Sequence, residues 1–130
     1  MESEDRYRKG LELRKQVLGE NYVNKALSQV NDFNKPIQDL VTEHVWGYIW
    51  QRPVLDKKTR SLITISMLIP QNRQNELRIH IKGALRNGVS KEEIREVIIH
   101  STVYCGFPAA LEAMRIAEEV ISEWEKGNKD

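Results

Sequence analysis

A chain of 130 residues suffices for one domain and is short for two, and its 40% apolar content can fill a core of that size. Twenty basic residues against nineteen acidic ones, both scattered along the chain, leave no one-signed face for nucleic acid. One cysteine excludes an internal disulfide, a CxxC redox pair and a multi-cysteine zinc site. The charged opening MESEDRYRKGLELRKQVLGE does not read as a signal peptide, and no apolar run approaches the roughly 18 residues of a membrane span. The expectation is a soluble, cytoplasmic single domain over 1–130, without nucleic-acid or membrane partners.

The period is helical throughout. Residues 4–18 predict a first helix with Tyr7, Leu11 and Leu18 near one side, stopped by Gly19. Asn21 is placed to cap a second helix through Val30. Asn34 and Pro36 predict the cap and first turn of a third helix, whose inward stripe reads Ile37, Leu40, Val41, His44, Val45 and Tyr48. Gln51–Leu55, with Pro53, reads as a loop, and Asp56 as the cap of a fourth helix over about 57–70. That segment is apolar almost all round, at Leu62, Ile63, Ile65, Met67, Leu68 and Ile69. A strand competes there because LITISMLI is rich in β-branched residues. The cap and the lack of a partner strand favour a helix, placed centrally or at a subunit interface.

A fifth helix runs from about Arg73 to Asn87, with Leu77, Ile81, Ala84 and Leu85 inward and Gly88 at its end. Ser90-Lys91-Glu92-Glu93 is a capping box that opens a sixth, two-sided helix through Tyr104-Cys105-Gly106. After the Gly106-Phe107-Pro108 break, a seventh carries Ala110, Ala113, Met114, Ala117, Val120, Ile121 and Trp124 to Gly127. The prediction is all-α, a bundle of about six or seven helices, with residues 1–5 and 127–130 frayed.

Chemistry concentrates on the fifth helix. Arg73, Glu76 and His80 fall at i, i+3 and i+7, so Glu76 and His80 stand one turn apart. A carboxylate beside an imidazole fixes the ring's tautomer, and the ring can then exchange a proton near neutral pH. The same spacing also fits a solvated ion pair worth about 0.3–0.5 kcal/mol. A metal would need a third or fourth ligand, which the fold would have to recruit from His44, His100 or Cys105.

Arg60, at the start of an apolar helix, calls for an anionic partner, either Asp56 or a bound ligand. Trp46 and Trp50, one turn apart and offset from the third helix's stripe, can wall a pocket or pack between subunits. His44 lies in the stripe and reads as a hydrogen-bonded core histidine. Cys105 reads as a buried small hydrophobe or as a site-lining thiol that would need a lowered pKa to react.

The ordered series Trp46-Gly47, Ile49-Trp50, Arg52-Pro53, Thr59-Arg60-Ser61-Leu62, Asn72-Arg73, Glu76-Leu77, His80, Asn87-Gly88-Val89 and Tyr104-Cys105-Gly106-x-Pro108-Ala109-Ala110 resembles the carboxymuconolactone decarboxylase family over roughly 6–122. The resemblance implies an all-helical, cofactor-free enzyme of the β-ketoadipate route, assembled as a ring-like homo-oligomer, usually a hexamer. The more distant alkylhydroperoxidase group carries Cys-x-x-Cys-x-x-x-His on the equivalent helix. Here that spacing reads Arg73-x-x-Glu76-x-x-x-His80, so thiol redox chemistry is excluded at that place. Many decarboxylase members continue after the Ala-Ala pair with a polar pair where this chain has Leu111-Glu112, a difference that bears on the substrate.

By the same resemblance, His80 and Glu76 are the expected catalytic pair, with His80 as proton donor. Arg60 and Arg73 are expected to hold substrate carboxylates, and Trp46 and Trp50 to exclude water. Tyr104 is a candidate hydrogen-bond donor to the lactone oxygen, and Cys105 a pocket neighbour. Another lactone or β-keto acid, or a helical oligomer that binds small acids without turnover, are the competing expectations.

Overall fold

The computed structural model describes residues 2–130, which form seven α-helices and no strand among them. The described residues gather into two compact units, one through Asp56 and one over Lys57–Lys129.

In the first unit, α1 (Ser3–Leu18) stops at Gly19, whose φ of 96° lies in the left-handed region and whose N–H closes on the Lys15 carbonyl at 2.9 Å. The start of α1 falls inside the stretch expected to fray; acidic Glu4 and Asp5 suit its first turn, and Ser3 Oγ donates to Glu43 Oε1 at 2.9 Å. α2 (Glu20–Ser28) begins one residue before Asn21, so Asn21 is not its cap. α3 (Lys35–Leu40) has Pro36 in its first turn as expected. Asn34, however, does not cap it: its Oδ1 accepts from the Asn31 amide at 2.8 Å, which uses the side chain to build the preceding turn.

From Val41 to Ile49 the chain is a π-helix, and the Trp50 N–H reaches back five residues to the Val45 carbonyl at 2.9 Å. This corrects the expected inward stripe. Widening the turn changes which residues share a face: Thr42, Trp46, Gly47 and Trp50 are buried and Tyr48 is exposed. Ile37 and Leu40 are exposed already in α3, ahead of the widened turns. His44 is likewise exposed and lies flat against Tyr48, with ring centroids 6.0 Å apart, rather than in the core.

α1 packs on this π-helix through two glycines. A Cβ on Gly10 would overlap the Thr42 carbonyl oxygen and stand 2.7 Å from the Gly47 nitrogen. A Cβ on Gly47 would overlap the Arg6 carbonyl oxygen and stand 2.8 Å from its carbon. The obstacles are backbone atoms, which no rotamer change can move aside.

In the second unit, α4 (Lys57–Leu68) leads through a 3₁₀ turn (Ile69–Gln71) and a left-handed Asn72 (φ 58°) into α5 (Gln74–Arg86). α6 (Lys91–Tyr104) opens with the predicted capping box: the Glu93 N–H donates to Ser90 Oγ at 3.0 Å and the Ser90 N–H to Glu93 Oε1 at 2.9 Å. α7 (Phe107–Glu125) follows Gly106, whose φ of 91° makes the break. Ile65, Leu77, Ile81, Ile94, Ile98 and Ile116 form the heart of this unit's core. α4 is less central than its composition suggests: Ser61 and Ile65 are buried, but Met67 is exposed. The tail beyond Gly127 is held at Lys129, whose carbonyl accepts from Arg86 and whose Nζ stands 4.9 Å over the Trp124 ring.

Gly47→Ala is expected to lower stability by about 1–3 kcal/mol, measured by urea unfolding with circular dichroism. A wild-type midpoint would show that α1 and the π-helix do not depend on this close approach.

Candidate functional site

α5 is built so that one face is fixed. Leu77, Ile81 and Ala84 are at most 4% exposed, which sets the rotation of the helix about its own axis. Glu76 and His80 then fall beside the buried stripe, Glu76 in solvent and His80 half-covered. Burial lowers the His80 pKa to about 4, and the Glu76 charge one turn away pulls it the other way. The ring is therefore neutral at pH 7. An anion arriving beside it would oppose the desolvation and raise its affinity for a proton.

Arg73 stands one residue before α5, as its N-terminal cap residue, and is exposed. It lines a cavity of about 410 Å³ with Ile69, Leu77, Pro108 and Glu112, and His80 is not in that lining. His80 is seven residue steps along the helix from Arg73, roughly 10 Å of axial rise. The two are not side by side; a ligand touching both would have to span nearly two turns. Arg60 is half-buried in the first turn of α4, and its carbonyl accepts from Thr64 Oγ1 at 2.8 Å.

Tyr104 ends α6 exposed, with its ring 5.2 Å from that of His100. Cys105 is a free thiol, partly buried, that packs against the second unit's core, in keeping with the small-hydrophobe reading. In the first unit, Trp46 and Trp50 are both buried, with centroids 4.7 Å apart and planes tilted by 33°. Among the described residues, no three His, Cys, Asp or Glu side chains converge as metal ligands would.

One polar side chain in this framework was not singled out in the sequence. Arg14 is 5% exposed, on the same face of α1 as Leu11 and Leu18. Its Nη1 donates to Gln38 Oε1 at 3.1 Å and to Thr42 Oγ1 at 3.2 Å. The signal was present: Tyr7, Leu11, Arg14 and Leu18 fall at i, i+4, i+7 and i+11, which puts a charge inside the first helix's apolar row.

A proton NMR titration, with the His80 signal assigned through His80→Gln, is expected to give His80 a midpoint near 4. Glu76→Gln removes the charge that favours the imidazolium and should lower that midpoint further. A His80 midpoint near the ordinary value of about 6.5 would contradict the burial argument.

Comparison with known proteins places these features in a family. The carboxymuconolactone decarboxylase family pattern matches residues 35–119. The chain is 46% identical to a 4-carboxymuconolactone decarboxylase of Acinetobacter baylyi over 134 aligned positions, covering 100% of both chains. It is also 46% identical to a nitrosuccinic acid decarboxylase of Metarhizium robertsii, over 88% of this chain and 80% of that one. A 4-carboxymuconolactone decarboxylase of Pseudomonas putida matches at 38% identity over 36% of this chain and 98% of that sequence. The chain belongs to the carboxymuconolactone decarboxylase family.

Proposed function

We propose that this chain decarboxylates 4-carboxymuconolactone to the enol-lactone of β-ketoadipate without a cofactor. The observation that carries the reading is the 46% identity to the Acinetobacter enzyme along the full length of both chains. The chemistry suits the side chains present. Loss of CO2 leaves an electron pair conjugated through the ring double bond to the lactone carbonyl, so the substrate is its own electron sink. The protein must hold two carboxylates, stabilise the dienolate and return one proton to carbon.

In this reading, Arg60 and Arg73 hold the carboxylates by charge-assisted hydrogen bonds. His80 is neutral in the free protein, gains a proton as the dianionic substrate binds, and delivers it to the dienolate carbon. Glu76, whose charge favours the imidazolium, orients the ring and supports the charged form. Tyr104 donates to the developing oxyanion. The Trp46–Trp50 pair keeps water from the substrate, and Cys105 stands behind the polar groups. The cytoplasm is the assigned place of action.

We assign a homo-oligomer, a hexamer, to the working form. Ile99, Val103, Tyr104, Phe107 and Leu111 leave an apolar surface along α6 and the start of α7 that a lone chain would expose to water. Ile37 and Leu40 do the same in the first unit.

A second reading is supported by the equal identity to the nitrosuccinic acid decarboxylase. Nitrosuccinate also carries two carboxylates, and CO2 loss from the carbon bearing the nitro group leaves a delocalised nitronate, so the same cations and proton donor would serve. Purified protein is to be mixed with each acid, following lactone loss by ultraviolet absorbance and CO2 in both cases. The first reading expects kcat/KM for the lactone to exceed that for nitrosuccinate by about 100-fold or more, and His80→Ala to lose roughly 10²–10⁴ of it in a folded protein. The opposite order establishes the second reading, and turnover of neither acid removes both.

A further inference from the structure

A π-helix is rarely the preferred state of a nine-residue segment, because the α register makes better backbone contacts. Something outside Val41–Ile49 must therefore hold it. Gly10 on α1 and Gly47 on the π-helix permit the close approach but do not select a register. Arg14 does make a selective contact: one guanidinium nitrogen, Nη1, is shared between Gln38 on α3 and Thr42 in the first turn of the π-helix. Thr42 is wholly buried, so its hydroxyl has no water to turn to.

The burial of Arg14 is itself unusual. Both acceptors are neutral, no carboxylate stands within ion-pair distance among the described residues, and Nε has no hydrogen-bond partner. Desolvation lowers its pKa, with Tyr22 and then Tyr7 opposing the shift. A buried charge of this kind adds little to stability, and an apolar side chain of similar size often serves the fold as well or better. Its value lies in where it holds its acceptors. Thr42 is four residues before Trp46 and eight before Trp50, and all three are on the buried face.

We propose that Arg14 is a positioning residue: by gripping Gln38 and Thr42 it keeps residues 41–49 in the π register and so keeps Trp46 and Trp50 turned inward as a tilted, close-packed pair. Without that grip the segment relaxes toward the α register, which turns the two indoles out of the buried face. The consequence for catalysis rests on the reading above, in which the tryptophan pair excludes water from substrate. The consequence for the indoles does not.

The test measures tryptophan emission and acrylamide quenching in a Trp124→Phe background, so that only Trp46 and Trp50 report. Arg14→Met is expected to keep helical content, shift emission to the red and raise the quenching constant about two-fold or more. Thr42→Val, which removes the acceptor hydroxyl with almost no change of shape, is expected to do the same to a smaller degree, and Thr42→Ser to restore the parent values. In kinetics with 4-carboxymuconolactone, Arg14→Met should lower kcat roughly ten-fold with KM within about two-fold. Parent emission and quenching in a folded Arg14→Met protein would overturn the proposal. If that variant does not fold, parent values in Thr42→Val overturn it. Changed quenching in a protein that turns over neither acid would leave Arg14 in its place and remove only the substrate assignment.

Discussion

The seating of α5 is the constraint on which the rest depends. Leu77, Ile81 and Ala84 are buried together, and three side chains on one helix face leave no freedom of rotation. With that face set, Glu76 and His80 can occupy only the shoulder of the helix. There the imidazole is covered enough to lose its charge, yet near enough to a carboxylate to regain it. A fully exposed ring would be close to half protonated near its ordinary pKa, and a fully buried one without Glu76 would resist protonation altogether.

That balance suits a reaction in which a dianion loses neutral CO2, its charge passes to the dienolate, and one negative charge is removed when a proton is delivered to carbon. A cofactor-free decarboxylase must bind carboxylates without over-stabilising the one that leaves, since binding shared equally by ground and transition states does not speed the chemical step. A histidine that is neutral until substrate arrives adds its positive charge only when negative charge is present. In the proposed reading, Arg73, exposed and lining its own cavity nearly two turns away, attracts a carboxylate rather than burying one. The buried Arg14 has a different task, because its acceptors are protein groups and its neighbours are neutral.

Much of this was legible in the sequence, and the failures at the third helix have a common cause. The seven helices, the Ser90–Glu93 capping box and the breaks at Gly19 and Gly106 follow from local rules: periodicity, cap chemistry and the left-handed freedom of glycine. The α5 pairing of Glu76 with His80 needs only 3.6 residues per turn. What escaped is where that period changes. From Val41 the turn widens, so an apolar stripe written for an α-helix was assigned inward when Thr42, Trp46 and Trp50 take that place. His44 went with the stripe and lies outside. No residue within VTEHVWGYI announces a π-helix; Gly10, which lets α1 approach, and Arg14, which donates to Thr42, lie about thirty residues earlier. The exposed apolar residues of α6 show the same limit, because periodicity marks a face as apolar without saying which chain covers it.

The central claim is that His80 returns the proton that replaces CO2, and the most direct measurement is the decarboxylation of 4-carboxymuconolactone in deuterium oxide, with the product read by NMR. The account predicts one deuterium on a single face of the carbon next to the lactone carbonyl. It also predicts that folded His80→Gln releases CO2 at least about 100-fold more slowly and labels both faces. Unchanged rate and unchanged facial selectivity in that variant would contradict it.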